Sequence, residues 1–472
     1  MIFKKTKIIC TIGPAVSSPE KMSALIDAGM DIARLNFSHS THEEHLEVIN
    51  LIRGLAHKKD IIIPVLGDLS GPKIRTGSLK GGSVKFEKGK TIKIFSQNVT
   101  GDENGFSTNY DKIIEDINPG EKILLDDGKL MLKVLSKDKT SAVCEILNSG
   151  ILNEHKGINL PDTKISLPSL TEKDYKDLDF LIENKADFIA LSFVRKPEDI
   201  TELKNYIHGK NANIPVISKL ERPEAIKNID GIIQASDAVM VARGDLGVEI
   251  SPEDIPSLQK MIIRKSNELC KPVITATQML ESMISNPLPT RAEATDVANA
   301  ILDGTDCVML SGETSVGAYA IESVETMERI IGKTEDMQCS EPRKIIKEKN
   351  HSGSTLWSVC RSAVELSDSI KASAIVTLTK SGKSPHILSH LRPHCPVLAV
   401  SGDSGILHHS KILWGVMPVY ITGKNSFAEI TGEIKSVISD FDFLKKGDKV
   451  IFILSLPFYN PDSANSIHII EL

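Results

Sequence analysis

Eight short apolar runs, each followed by a helical pattern, limit this chain to very few architectures. The runs lie at 7–13 (KIICTIG), 31–38 (DIARLNFS), 61–69 (IIIPVLGDL), 187–193 (DFIALSF), 214–220, 238–242, 272–276 and 307–310. They are nearly continuous in apolar residues and bounded by Gly, Pro or charge, the pattern of strands buried on both faces. Between them the period changes. Ser18 caps a helix that has Pro19 at its first position and stops at Gly29. Thr171 and Asp174 form a capping box, and 42–58, 197–207 and 291–302 read as further helices. Strands alternating with helices imply a parallel sheet, and eight strands is the number that closes a TIM (β/α)8 barrel.

Gly71-Pro72 breaks the alternation. From 73 to 164 the texture becomes short alternating runs (83–86, 91–95, 122–125, 129–135, 142–147), which predicts an inserted all-β lid, a barrel or sandwich. Residues 335–350 are charged and poor in apolar side chains, and read as a connector. A helix at 354–366 and strands at 374–378, 396–400, 417–421, 449–456 and 466–470 then predict a separate α/β domain. The expected division is 1–72 with 165–335 for the barrel, 73–164 for a β-barrel lid, and 336–472 for the C-terminal α/β domain.

In a TIM barrel the C-terminal strand ends share one rim. Strand two ends in Arg34, Asn36, Ser38 and His39, and strand three in Asp68. Strand four leads to Arg195 and Lys196, strand five to Lys219 and Glu221, and strand six to Arg243 and Asp245. Strand seven leads to Thr277, and strand eight to Ser311 and Glu313. Charge where a buried strand ends is costly unless it faces a ligand, a metal or another charge. A structural ion-pair network accounts for one such pair; polar groups from seven strands on one rim favour a site. Glu221 and Asp245 are spaced to hold a hard divalent ion with positions open for ligand oxygens. Arg34, Arg75, Arg195, Lys196 and Lys219 supply positive charge for phosphate and carboxylate groups. Residues 244–247 (GDLG) open a helical turn whose backbone N–H groups suit an anion. No side chain stands out as a nucleophile. Metal-assisted phosphoryl transfer fits best, since it needs positioning and charge neutralisation more than covalent help.

The net charge of −6 argues against nucleic acid or an anionic membrane as the main partner, so an anionic substrate needs a local basic site. The seven cysteines show no C-x-x-C pair and no zinc spacing, and read as small buried hydrophobes of a reducing cytoplasm. No apolar run reaches the length of a signal or transmembrane segment.

The segments TKIICTIGPA, ARLNFSHS, GDLSGPKIRTG, ISKLERPEAI, VMVARGDLGVE, ATQMLESMI and PTRAEATDVANAILDGTDCVMLSGET occur in this order. Through them the chain resembles the pyruvate kinase family over nearly its whole length. The resemblance implies phosphoryl transfer from phosphoenolpyruvate to ADP, the last step of glycolysis, by a homotetramer of barrel, lid and regulatory domain. It implies that Glu221 and Asp245 hold Mg²⁺ or Mn²⁺, and that Lys219 and Arg34 contact the transferring phosphoryl group. Gly244, Asp245 and Thr277 would hold the substrate carboxylate. Thr277, Ser311 and Glu313 would relay a proton through water to the enolate carbon. Arg75, Lys196, Asn36 and His39 would face ADP, and the lid would close to exclude water.

Two departures from the family pattern carry further expectations. Many members bind K⁺ through residues matching Asn36, Ser38, Asp68 and Leu69, with Thr where this chain has Leu69 and Glu where it has Lys73. A lysine ammonium can stand in for a monovalent cation, so activity without K⁺ is expected; a solvated lysine at the lid hinge is the plainer reading. The loop Thr379, Lys380, Ser381, Gly382, Lys383 and Ser384 lies between a strand and a helix where the family's effector site falls, and its hydroxyls, glycine and lysines suit a phosphate. An ordinary polar turn has the same composition. The loop 457–465 (PFYNPDSAN) lacks the glycines of fructose-1,6-bisphosphate-responsive members, so the effector expected is phosphorylated, a sugar monophosphate or AMP being equally suited. Two other functions compete: a metal-dependent barrel lyase or phosphomutase, disfavoured by Arg75, Lys196 and the lid, and a non-catalytic effector-binding scaffold, disfavoured by the intact rim.

Overall fold

The computed structural model describes residues 3–339, 354–422, 443–455 and 464–472, together with 429, 432–434, 436 and 441. Strands β1 (Lys7–Thr11), β2 (Ile32–Asn36), β3 (Val65–Asp68) and β4 (Phe188–Leu191) run parallel beside β5 (Val216–Leu220), β6 (Ala238–Ala242), β7 (Val273–Ala276) and β8 (Cys307–Leu310). They pair in chain order and β8 returns to β1, closing the barrel. Several strands are shorter than the apolar runs that announce them, because the outer residues of each run belong to the turns.

Side-chain alternation sorts each strand into two cores. Ile9, Ile32, Leu66, Phe188, Ile217 and Met240 pack together inside the barrel. Their neighbours Ile8, Ala33, Val65, Ile189, Val216 and Val239 pack outward with helix residues such as Leu178, Ile200 and Ile262. Two residues further along (four beyond Phe188, past Ala190), the inward row arrives at the rim as Thr11, Arg34, Asp68, Ser192 and Lys219. The apolar interior and the polar rim are thus the same face of the same strands. Gly67 serves the outer layer: a Cβ there would lie 2.4 Å from the Leu181 side chain, so glycine lets helix Glu172–Glu183 pack onto β3.

The inserted segment forms a six-stranded sheet and a two-stranded one, with a short helix at Ile113–Asp116. The strand ladders of the six-stranded sheet do not close on themselves. Single bridges complete the ring: Arg75 pairs with Gly157, next to one edge strand, and Thr76 with Thr108, next to the other. Two of its strands, Gly105–Ser107 and Ile158–Asn159, are too short to show alternation in the sequence, and a third, Gly150–Asn153 (GILN), has its two apolar residues side by side.

The C-terminal domain has a five-stranded sheet, parallel except for the last strand, Ser466–Glu471. It covers the base of the barrel: Lys7 Nζ donates to the Val416 carbonyl at 2.8 Å and Cys307 Sγ to that of Ile412 at 3.3 Å. Helix Ala320–Cys339 runs into the segment expected to be a connector. Met327 and Ile331 are buried on that helix, and this apolar face carries it past residue 335. The rest of that connector and residues 457–463 lie outside the described residues. Among the described residues no helix is long and apolar enough to cross a membrane.

Candidate active site

Lys219 stands at the centre of the rim. Its ammonium lies 2.9 Å from Glu221, 3.3 Å from Asp68 and 2.8 Å from Ser192 Oγ. Asp68 also accepts from Arg34 Nε at 2.7 Å and Nη2 at 2.6 Å, while Arg34 Nη1 donates to Thr11 Oγ1 at 2.7 Å. All four charges are buried. Burial works to lower the Lys219 pKa, but Asp68 and Glu221 outweigh it and hold the group above the usual lysine range. Burial likewise works to raise Asp68, yet Lys219 and Arg34 keep it below the usual carboxylate range. Glu221 goes the other way: burial raises it and Asp245 adds repulsion, so it is raised despite Lys219.

Asp245 is half-buried and forms no ion pair among the described residues. Two positive and three negative side chains leave this cluster one charge negative. Among the described residues no group of three or more His, Cys, Asp or Glu is placed to hold a metal. A divalent ion would therefore take two carboxylates, Glu221 and Asp245, and complete its shell with substrate oxygens. The donor set fits: both ligands are hard oxygens, and a bound cation would offset the repulsion from Asp245 that adds to the burial raising Glu221.

Asp245 lies in the first turn of helix Arg243–Glu249, which follows β6 directly. The Gly244 N–H donates to Thr277 Oγ1 at 2.7 Å, and this hydroxyl donates to the Ala276 carbonyl at 2.6 Å. A Cβ at Gly244 would stand 3.3 Å from Thr277 Oγ1, a tight contact that favours glycine. From β8, Glu313 accepts from the backbone of Ser311 at 2.7 Å and of Leu280 at 3.1 Å, tying the β8 loop to the β7 loop. Burial raises the Glu313 pKa against those hydrogen bonds. Ser311 Oγ is buried and has no hydrogen-bond partner among the described residues.

The residues expected to face nucleotide are spread over the lid and the turns that follow β2 and β4. Asn36 is half-buried and His39 exposed on the turn after β2, where Asn36 Oδ1 accepts from the Ser38 N–H at 3.1 Å. Ser38 Oγ meets Ser70 Oγ at 3.2 Å. Lys196 is exposed at the start of helix Pro197–Gly209, and Arg75 donates to the His155 carbonyl within the lid at 3.0 Å. Lys73 is exposed and lines the cleft between lid and barrel with Asp127, Arg222 and Asp245; Leu69 is buried. Arg195 departs from the expectation that it serves an anion. Its guanidinium is spent on the Ile165 carbonyl (2.8 Å), the Leu167 carbonyl (2.6 Å) and Ser169 Oγ (3.2 Å), in the segment returning from the lid.

In the C-terminal domain, Lys380, Ser381 and Lys383 are exposed. Thr379 Oγ1 accepts from the Gly382 N–H at 2.9 Å and Ser384 Oγ bonds Thr377 at 2.8 Å, so these two hydroxyls shape the loop. Three contributors were not assigned from the sequence: Thr11, Ser192 and Arg243. Inward parity could have found the first two, each lying two residues beyond a core position of its strand. Arg243 was visible only as a charge ending a strand.

A closed (β/α)8 barrel with an inserted lid and a rim of opposed buried charges defines an enzyme for small anionic substrates. Comparison narrows the class. Residues 3–324 match the family model described as the pyruvate kinase barrel domain, and 357–470 match that of the pyruvate kinase alpha/beta domain. The chain is 43% identical over 474 residues to the pyruvate kinase of Sporosarcina psychrophila, covering 99% of this chain and 80% of that one. It is also 43% identical, over 470 residues with the same coverage, to the pyruvate kinase of Staphylococcus aureus strain MRSA252. A crystal structure of a pyruvate kinase from Cryptosporidium parvum superposes with a TM-score of 0.91 at 36% identity, covering 99% of this chain and 96% of that one. The chain belongs to the pyruvate kinase family, phosphotransferases whose substrates are phosphoenolpyruvate and ADP.

Proposed function

We propose that the β5–β6 rim performs the phosphoryl transfer, with Lys219 as its electrostatic centre. The carrying observation is the buried lysine fixed between Asp68 and Glu221, beside an Asp245 that forms no ion pair among the described residues. A fixed cation costs no reorganisation when negative charge spreads over the phosphoryl oxygens. Arg34, locked by Asp68 and Thr11, faces the same charge. The P–O bond to the substrate's C2 oxygen breaks and a bond to the terminal oxygen of ADP forms, leaving enolpyruvate. Glu221 and Asp245 hold Mg²⁺ or Mn²⁺, which when bound neutralises phosphate and carboxylate oxygens.

The Gly244 N–H, which here donates to Thr277 Oγ1, and the Thr277 hydroxyl, which donates to the Ala276 carbonyl, turn to the substrate carboxylate when it binds. Water then returns a proton to the enolate carbon. Thr277, Ser311 and Glu313 organise that water: the Ser311 hydroxyl has no partner among the described residues, and burial keeps Glu313 more readily protonated than an exposed glutamate. Arg75, Lys196, Asn36 and His39 bind ADP, and the lid 73–164 closes over the reaction.

Lys73 supplies the monovalent charge that K⁺ supplies elsewhere in the family, beside Asn36, Ser38, Asp68 and Leu69, so turnover needs a divalent ion but not K⁺. Its exposure in the lid cleft leaves it free to swing as the lid closes. The working units are the barrel 1–72 with 165–335, the lid, and a regulatory domain 336–472 that binds a phosphorylated effector at Thr379–Ser384. The enzyme acts in the cytoplasm as a homotetramer. A coupled assay with phosphoenolpyruvate and ADP tests the set. ATP formation is expected to vanish with EDTA, return with Mg²⁺ or Mn²⁺, and proceed in K⁺-free buffer. Negligible rates that rise steeply on adding KCl would remove the role of Lys73. Activation by a sugar monophosphate or AMP at subsaturating phosphoenolpyruvate, lost in Lys380→Ala/Lys383→Ala, is the expectation for the effector loop.

A further inference from the structure

Thr277 adopts a backbone that its side chain disfavours. Its φ is +66°, and Gln278 follows at +54°. A β-branched residue in the left-handed region is an outlier that its surroundings must enforce. The enforcement comes from Arg243, the residue after β6. Its buried guanidinium donates to the Thr277 carbonyl through Nη2 at 2.8 Å and Nε at 3.3 Å, and to the Gln278 carbonyl at 3.3 Å. Nη2 also lies 2.8 Å from the Met279 sulfur. The far side of the fork is anchored: Nη1 is 2.5 Å from Asp296 on helix Arg291–Asp303 and 3.3 Å from Gln259 on helix Ile255–Glu268. The next residue, Gly244, donates its N–H to Thr277 Oγ1. Two consecutive residues therefore grip Thr277, one by its backbone and one by its hydroxyl.

We propose that Arg243 is a positioning residue for this reaction: it holds 277–278 in the left-handed conformation and so sets where the Thr277 hydroxyl stands. Arg243 contacts no reacting group itself. The proposal rests on the reading that Thr277 takes part in carboxylate binding and proton return. Only a planar fork can span two adjacent carbonyls on one side and a carboxylate on the other; a lysine keeps the charge facing Asp296 but loses the span. When the grip is lost, 277 relaxes to negative φ and its hydroxyl moves away from the Gly244 N–H. A displacement of about 1 Å at a reacting centre can cost on the order of a hundredfold in rate.

The test compares the wild type with Arg243→Lys, Thr277→Ala and the double variant. Three quantities are read: kcat/KM for phosphoenolpyruvate, KM for ADP, and exchange of the pyruvate methyl protons with D₂O followed by NMR. Arg243→Lys is expected to lower kcat/KM for phosphoenolpyruvate by about tenfold to a hundredfold and slow methyl exchange, while KM for ADP stays within about twofold. In the Thr277→Ala background the same change is expected to add less than about twofold, because the group it positions is already gone. An equal loss with and without the Thr277 hydroxyl, or parallel rises in both Michaelis constants, overturns the assignment of Arg243. Wild-type behaviour of Thr277→Ala overturns the reading of Thr277 itself, and the proposal with it. Should Arg243→Lys fail to fold, Asp296→Asn removes only the anchor. It must move the same quantities in the same direction, and no movement refutes the proposal.

Discussion

Lys219 illustrates why a single residue can be necessary for both chemistry and integrity. It offsets two buried carboxylates, and Asp68 retains Arg34 when it is removed while Glu221 retains, among the described residues, the Phe193 N–H at 2.8 Å. Breaking a buried ion pair from one side costs about 3–5 kcal/mol, since an uncompensated charge remains. Lys219→Met is thus expected to lose ATP formation almost completely and to melt at a clearly lower temperature than the wild type. Coupled assays and calorimetry measure the two effects. Turnover within about twofold of wild type would remove Lys219 from the mechanism. Thr277 is the other residue whose local state matters. Its left-handed backbone stores about 1–3 kcal/mol of strain, and it stands where three hydrogen-bonding partners converge.

At the scale of elements, several polar contacts tie the lid to the barrel. Arg195 clamps the returning segment, Arg222 Nη2 donates to the Leu160 carbonyl at 3.3 Å, and Asn159 of the lid donates to Glu249 at 3.0 Å. Glu249 closes the helix whose first turn holds Gly244 and Asp245, so the lid's footing and the proposed metal ligand share one short element. Hydrogen bonds from a charged donor contribute about 1.5–3 kcal/mol each. Arg195→Met should therefore loosen residues 165–169 by about 2 kcal/mol, seen as faster amide exchange there while the rest of the barrel keeps its protection. Uniform protection across both would mean that the clamp does not hold the lid's root. The lysine-for-arginine asymmetry at this clamp has the same origin as at Arg243: two carbonyls, Ile165 and Leu167, are taken by one guanidinium.

For the whole molecule, the junction between barrel and C-terminal domain has a pH dependence of its own. Burial pushes the Lys7 ammonium down to about 8, against the attraction of Asp31, with Lys411 and Lys4 adding repulsion. The unfolded chain keeps the ordinary lysine value of 10.5. Between these values the unfolded state binds more protons, so this group adds stability as pH rises from about 8 to about 10 and adds nothing below. The full span is on the order of 3 kcal/mol. Comparing the wild type with Lys7→Met cancels the titration of other groups. The wild type should gain on the variant steadily over that range, by thermal or denaturant unfolding. A constant difference would show that Lys7 does not titrate there.

The sequence by itself determined the layer plan. Period and punctuation announced eight buried strands and their helices, and Ala238–Ala242 and Cys307–Leu310 have the same bounds in the structure as in the apolar runs. It also determined which charges end those strands, because a charge beside a buried run is expensive and visible. What it could not determine was which of these charges face a ligand and which face the protein. Arg34 and Arg195 look alike as cations at strand ends. One lies on the inward row beside Lys219, and the other reaches sideways to the backbone of the segment that follows the lid. The short lid strands, too, became strands only through their neighbours. Arg243, a bare charge after β6, acquired its grip on Thr277 only when β6 and β7 were laid side by side, with Val241 opposite Thr275 and Ala242 opposite Ala276. The physical reason is common to all three. Burial and period are properties of a segment and survive in its residue order, whereas a hydrogen bond between residues 243 and 277 depends on closing the chain between them, which only the tertiary fold does.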